Sequence, residues 1–176
     1  RLAQPVAAAA GSGALGHILK VEREVAQAAA GLSGTHVFNT VFPAGAFGNA
    51  VRTAAQVIAA QPGVAAVKIG LGSFDTHRGQ IATHARLLQE LAGGLVALKA
   101  ALVELQRWDS ALVMTYSEFG RRAAENRSGG TDHGTAGAHF ALGGRVRGGL
   151  YGRAPELGRL DRNGNLAHTV DFRDLY

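Results

Sequence analysis

From Gly79 to about Gln106, large apolar residues recur at three- and four-residue steps: Ile81, Leu87, Leu88, Leu91, Leu95, Leu98, Leu102 and Leu105. That spacing winds an apolar stripe along one side of a long α-helix. Two β-branched, mostly apolar runs bracket it, Val64 to Leu71 before and Ala111 to Met114 after. A strand, a long helix and a second strand predict a right-handed crossover in a parallel sheet. The fold expected is therefore α/β, a three-layer sandwich with a mostly parallel sheet. Gly93 and Gly94 interrupt the helix at about 1 kcal/mol each relative to Ala, which predicts a kink or a close approach there.

The other elements fit the same rhythm. Phe47 to Ala60 reads as a helix with Phe47, Val51, Ala54, Ala55 and Ile58 on one face, stopped by Gln61-Pro62-Gly63. Gly16 to Ala30 reads as another, with Ile18, Leu19, Val21, Val25 and Ala29 as its stripe, and Val37 to Phe42 as a short extended piece. Ala138 to Gly143 is expected to be a short strand, and Asp161-Arg162-Asn163-Gly164-Asn165 a tight turn. With 176 residues, the chain fits a single domain over 1–176.

Chemistry gathers where the two apolar runs end. The first closes in Phe74-Asp75-Thr76-His77. The second passes through Thr115-Tyr116-Ser117-Glu118 to Arg121-Arg122, a Gly/Ser turn, and Thr131-Asp132-His133-Gly134. In open α/β sheets, ligands bind just beyond such strand ends. Asp oxygen and His nitrogen both bind Zn²⁺ at about 2.0–2.2 Å, so the paired Asp/His clusters are a candidate metal site. Asp75 is also a candidate helix cap, and Asp132 a candidate for local turn hydrogen bonds. Glu118 is a candidate ligand or a partner for Arg121 or Arg122. His84 is expected at the surface, and His17, His36, His139 and His168 in structural roles.

Composition narrows the partners. The formal charge is +5; Lys20, Lys68 and Lys99 are the lysines, so 15 of the 18 basic residues are Arg. Arginine suits bidentate binding of phosphate, sulfate or carboxylate. The basic residues are dispersed and aromatics make up only 6%, too few for a base-stacking platform, so no nucleic-acid partner is expected. No Cys is present, which rules out disulfides and Cys-based zinc ribbons. No apolar run approaches a membrane span, and no signal peptide is visible.

FDTH (Phe74 to His77), TYSEFGRR (Thr115 to Arg122), GTDHGTA (Gly130 to Ala136), GGLYG (Gly148 to Gly152) and DFRDLY (Asp171 to Tyr176) resemble the DUF1501 family, over most of the chain from about Thr40. These bacterial proteins, often exported to the periplasm, look like distant relatives of the alkaline phosphatases and sulfatases. The resemblance implies an alkaline-phosphatase-like fold and a metal-dependent hydrolase of phosphate or sulfate esters. It implies one or two divalent metals, Zn²⁺ first, with Mn²⁺, Ca²⁺ or Mg²⁺ as substitutes. The ligands would be Asp75, His77, Glu118, Asp132 and His133, with Asp132 as ligand or orienter, and Arg121 and Arg122 would hold a small anionic ester. Two positions depart from the superfamily pattern. Phe119 stands where a further His ligand is expected, and Asp75 and His77 are closer together than usual. Either departure implies a single metal or an inactive relative, an exported binding protein that retains the fold. The first metal-binding Asp and the nucleophile of the superfamily lie in an N-terminal part without a counterpart here. The chain is thus expected to be the C-terminal portion of a larger domain, with an exposed apolar edge favouring homo-oligomers.

Overall fold

The computed structural model describes residues 36–61 and 63–174; the reading of Gly16 to Ala30 lies outside the described residues. Two helices form the centre. Helix α1 (Ala46–Ala60) buries Phe47, Val51, Ala54 and Ala55, four of the five positions its spacing predicts. It follows Gly45, which takes a φ of 96° that suits glycine, and it stops at Gln61, where the backbone becomes extended.

Helix α2 (Gln80–Glu104) starts one residue later than its leucine pattern implies, because Gly79 turns left-handed (φ 49°) and ends the preceding loop. Its buried seam is Leu87, Gly94, Ala97, Leu98, Ala101 and Leu102. Ile81 and Leu88, expected in the stripe, face outward, 84% and 43% exposed. Small residues displaced them. Gly94, Ala97 and Ala101 let α1 approach closely, and the Phe47 ring occupies the space a side chain at Gly94 would need. Phe42, Phe47, Val51, Ala55, Ala97, Leu98, Ala101 and Leu102 form the core, with Ile69, Leu71, Trp108 and Val113 packed at its margin. The C-terminal end of α2 is tied to the entering chain. The Glu104 carboxylate accepts hydrogen bonds from the Asn39 and Thr40 amides at 2.8 and 3.1 Å and from the Thr40 hydroxyl at 2.8 Å.

The strand pairing differs from the expected crossover. Strand β1 (Val113–Met114) pairs antiparallel with β4 (Ala141–Leu142), through Val113 with Leu142 and Met114 with Ala141. Strand β2 (Gly120–Glu125) pairs antiparallel with β3 (Thr131–Gly134) as a hairpin. Residues 64–71 run against the helices without a ladder, and no parallel ladder forms among the described residues. Only Ile69 and Leu71 of this run pack against the core, and Val67 is exposed; a ladder needs a neighbouring backbone in register as well as apolar residues. The Asp161 to Asn165 turn forms as expected, closed by the Leu160–Leu166 bridge, with Gly164 at φ 77°. Among the described residues, no helix is long and apolar enough to cross a membrane.

Candidate metal centre

The loop before α2 and the β2–β3 hairpin are joined by backbone chemistry. The first N–H groups of a helix have no partner within the helix. Here the Gly79 and Gln80 amides donate to the Ser128 and Gly129 carbonyls of the hairpin turn, at 3.1 and 2.8 Å. Asn126 fastens the same turn from inside. Its Oδ1 accepts from the Ser128 and Gly130 amides at 2.9 and 3.1 Å, and its Nδ2 donates to the His77 carbonyl at 3.0 Å. The Thr131 hydroxyl adds a bond to the Gln80 side chain at 3.1 Å. At Gly130 the turn lies against the His77 carbonyl, where a side chain has no room.

This docking brings together residues that are 58 positions apart. The His133 Nε2 lies 2.7 Å from the Asp75 Oδ1, and the His77 Nε2 lies 2.9 Å from the same oxygen. Asp75, His77 and His133 thus offer three ligand atoms within 4.8 Å of one another, all at the surface. The fourth residue of the expected set, Asp132, takes a supporting place. Its Oδ1 lies 3.6 Å from the His77 Nδ1, the ring nitrogen turned away from Asp75, and accepts from Asn126 Nδ2 at 3.2 Å. A carboxylate behind the second nitrogen of a metal-ligating His fixes its tautomer and ring direction. Asp132 thus stands behind His77, in the place of an orienting carboxylate, and is not one of the three converging ligand atoms.

Glu118 does not join the group. Its side chain is exposed, and its charge acts on Lys68, whose ammonium is held above its ordinary range by Tyr116 first and by Glu118 to a smaller degree. The chain bends at Glu118, where the Ser117 hydroxyl bonds to the Phe119 backbone, and the Glu118 side chain is left at the surface. Phe119 and Arg121 face this group instead, Phe119 against the His133 ring and Arg121 3.6 Å from Asp75.

The two arginines separate. Arg121 donates from NH1 to the Thr131 carbonyl and from NH2 to the Phe74 carbonyl at 2.7 Å, and lies 3.6 Å from Asp75. Those bonds make it a link between loop and hairpin. Arg122, also in β2, keeps NH1 3.9 Å from Asp132 Oδ2 and is 40% exposed. Its Nε makes no hydrogen bond among the described residues. Of the candidate hydroxyls, Ser117 donates to the Phe119 carbonyl at 2.9 Å, and Thr115 accepts from the Phe140 amide at 2.8 Å. His84, expected at the surface, sets its ring edge against Phe74 at 5.8 Å.

Sequence reasoning missed Asn126, Phe119 and Gly130 as site residues. An Asn opening a Ser/Gly turn was the available signal for Asn126, since its amide readily closes turns. Phe119, marked in the sequence only as a departure from a His ligand position, lies with its ring flat on His133, centroids 4.0 Å apart and planes 7° off parallel.

Both aspartates are held below the ordinary carboxylate range. For Asp75 the first cause is the His133 hydrogen bond, and for Asp132 the hydrogen bond from Asn126. A lowered folded-state value means the stabilisation is complete above the ordinary value of 3.8 and is lost as pH falls through the folded value. The effect is modest, because both groups are more than half exposed. Asp132→Asn is expected to flatten the fall in urea midpoint between pH 5 and pH 2. An identical fall in variant and wild type would remove Asp132 from the linkage.

The model of one family, described as a protein of unknown function (DUF1501), matches residues 12–175. The chain belongs to the DUF1501 family. No curated protein and no solved structure matches it. The match takes in FDTH, the β2–β3 hairpin and most of the C-terminal DFRDLY motif, so the Asp75, His77 and His133 group of this DUF1501 protein lies wholly within the family region.

Proposed function

We propose that this DUF1501 protein carries a divalent-metal site of hydrolase type, acting on small phosphate or sulfate esters. The observation that supports it is the convergence of Asp75, His77 and His133, from two remote segments, on one 4.8 Å group with Asp132 behind His77. Two imidazoles and one carboxylate fit Zn²⁺, which takes three protein ligands in sites that keep an open position; Mn²⁺, Ca²⁺ and Mg²⁺ are the alternatives. Bound there, the metal would supply a Lewis acid for an ester oxygen. The chain's own residues do the rest. Asp75, His77 and His133 hold the ion, and with Nε2 so engaged the Nδ1–H of His77 can donate to Asp132. Arg122, whose side chain is 40% exposed and whose NH1 lies 3.9 Å from Asp132, is the cation that would meet an anionic ester. Ser117 and Thr115 are engaged with backbone groups, so the attacking group in this reading comes from outside the described residues. The same reading places the region within a three-layer sandwich of the alkaline-phosphatase and sulfatase type.

A second reading is an exported binding protein that keeps the fold without catalysis. Exposure favours it: Asp75 is 60% exposed, and His77 and His133 are 46% exposed, which gives little exclusion of water around a reaction.

Elemental analysis of wild type beside His77→Ala and His133→Ala tests the metal. About one Zn²⁺ per chain is expected in the wild type and a large loss in either variant. Aryl phosphate and aryl sulfate hydrolysis then separates the enzyme from the binding protein. A wild type that stays metal-free after loading would sink the metal site.

A further inference from the structure

Phe119 and Arg121 flank Gly120, and Gly120 lets the run have only one usable side. An added Cβ at Gly120 would sit 2.2 Å from the Ala136 carbonyl oxygen, so that side is filled by the neighbouring chain. Phe119 and Arg121, two residues apart, therefore both project toward the metal ligands. Arg121 and His133 are also paired across the β2–β3 ladder, which sets their side chains on the same face.

We infer that Phe119 and Arg121 form a clamp that preorganises His133 and Asp75, both acting as positioning residues; this rests on the metal-site reading above. The contacts run in sequence. The Arg121 guanidinium lies 4.9 Å over one face of the Phe119 ring, and His133 stacks on that ring at 4.0 Å. Beyond His133, the His77 ring follows at 4.9 Å. An imidazole pressed flat against a phenyl ring keeps its ring plane, and within that plane the Asp75 bond at 2.7 Å selects the orientation that aims Nε2 at the carboxylate. Arg121 fixes the other partner. By holding the Phe74 carbonyl and the Thr131 carbonyl at once, it sets the distance between the residue before Asp75 and the strand that carries His133. A lysine presents a single ammonium instead of a planar fork and cannot span both carbonyls in the same way. Phe119 thus has a use at this position that a further metal ligand would not supply.

The test reads His133 directly. In ¹⁵N-labelled, metal-free protein, long-range ¹H–¹⁵N correlation reports the tautomer and ring-proton shifts of each imidazole, with His133→Ala giving the assignment. Wild type is expected to show one His133 tautomer with ring protons shifted upfield by the stacked phenyl. Phe119→Leu should lose both features and Phe119→Trp should keep them, while Arg121→Lys should leave His133 averaging between tautomers. Unchanged His133 signals in Phe119→Leu would overturn the clamp. Zn²⁺ titration of the same proteins gives the functional reading. Phe119→Leu is expected to bind about 10–100-fold more weakly, as for loss of an outer-shell partner, with Phe119→Trp close to wild type. Equal Zn²⁺ affinity in wild type and Phe119→Leu would overturn the inference. If wild type binds no Zn²⁺, the metal reading fails on that arm, and the His133 signals alone decide whether the clamp exists. A merely structural Phe119 would change the melting temperature and leave the tautomer alone.

Discussion

Gly94→Ala is expected to destabilise the protein, while Gly93→Ala, one residue away on the same helix, stabilises it. Helix propensity acts the same way on both, favouring Ala by about 1 kcal/mol in a helix interior. Packing decides the sign. A Cβ on Gly94 would lie 2.2 Å from Cε1 and 2.8 Å from Cδ1 of Phe47, a ring only 7% exposed and held in the core between α1 and α2. The Phe47 ring cannot swing away without opening that core, and overpacking of this kind costs about 1–3 kcal/mol. At Gly93 the nearest atom is Pro43 Cγ at 3.5 Å, an ordinary contact. Thermal melts of the two variants should therefore move in opposite directions from wild type, by roughly 2–4 °C per kcal/mol for a domain of this size. Phe47→Leu combined with Gly94→Ala should recover part of the loss, since the two sites couple through direct contact. Two variants that shift together would show that α1 and α2 do not meet at Gly94.

The second large effect is expected at Gly130. A Cβ there would sit 2.3 Å from the His77 carbonyl carbon and 2.6 Å from the Arg78 nitrogen. Both are backbone atoms, so relief requires the hairpin to move off the loop that carries Asp75 and His77. Gly130→Ala should then lose about 1–3 kcal/mol of stability and, with it, the approach of His133 to Asp75. Zn²⁺ binding is expected to fall by a larger factor than in Phe119→Leu, because the whole hairpin is displaced rather than one ring released. Gly72→Ala is the control, since a Cβ at Gly72 meets nothing within 4 Å. Calorimetry with Zn²⁺ titration of both variants checks this. A Gly130→Ala protein that melts and binds like Gly72→Ala would remove the hairpin from its place against His77.

These two glycines show where reading the sequence stops. The Gly93-Gly94 pair was visible as a weak point in a strong helix, and close packing was one of its two explanations. Which glycine faced a neighbour was not visible, because that depends on the rotation of α2 against α1. The same rotation left Ile81 and Leu88 outside the seam although their spacing matched it. Likewise, Asp75, His77 and His133 were legible as candidates, since each sits in a short polar cluster after an apolar run. Glu118 looked equally good, and the bend closed by Ser117 and Phe119 left it at the surface, away from the group.

By itself, the sequence determined the two helices of the described residues, the Asp161 to Asn165 turn and the candidates Asp75, His77 and His133. Those features depend on neighbours three or four positions away, and helix periodicity and turn preference record such local relations directly. The tertiary structure alone decided that β1 pairs with β4, that β2 and β3 form a hairpin, and that this hairpin docks on the first amides of α2. It also decided the separate duties of Arg121 and Arg122 and the place of Asp132 behind His77. Each depends on contacts between distant segments, such as the 58-residue separation between Asp75 and His133. A backbone ladder accepts many side chains, and its partner is chosen by what the rest of the chain leaves free to pair.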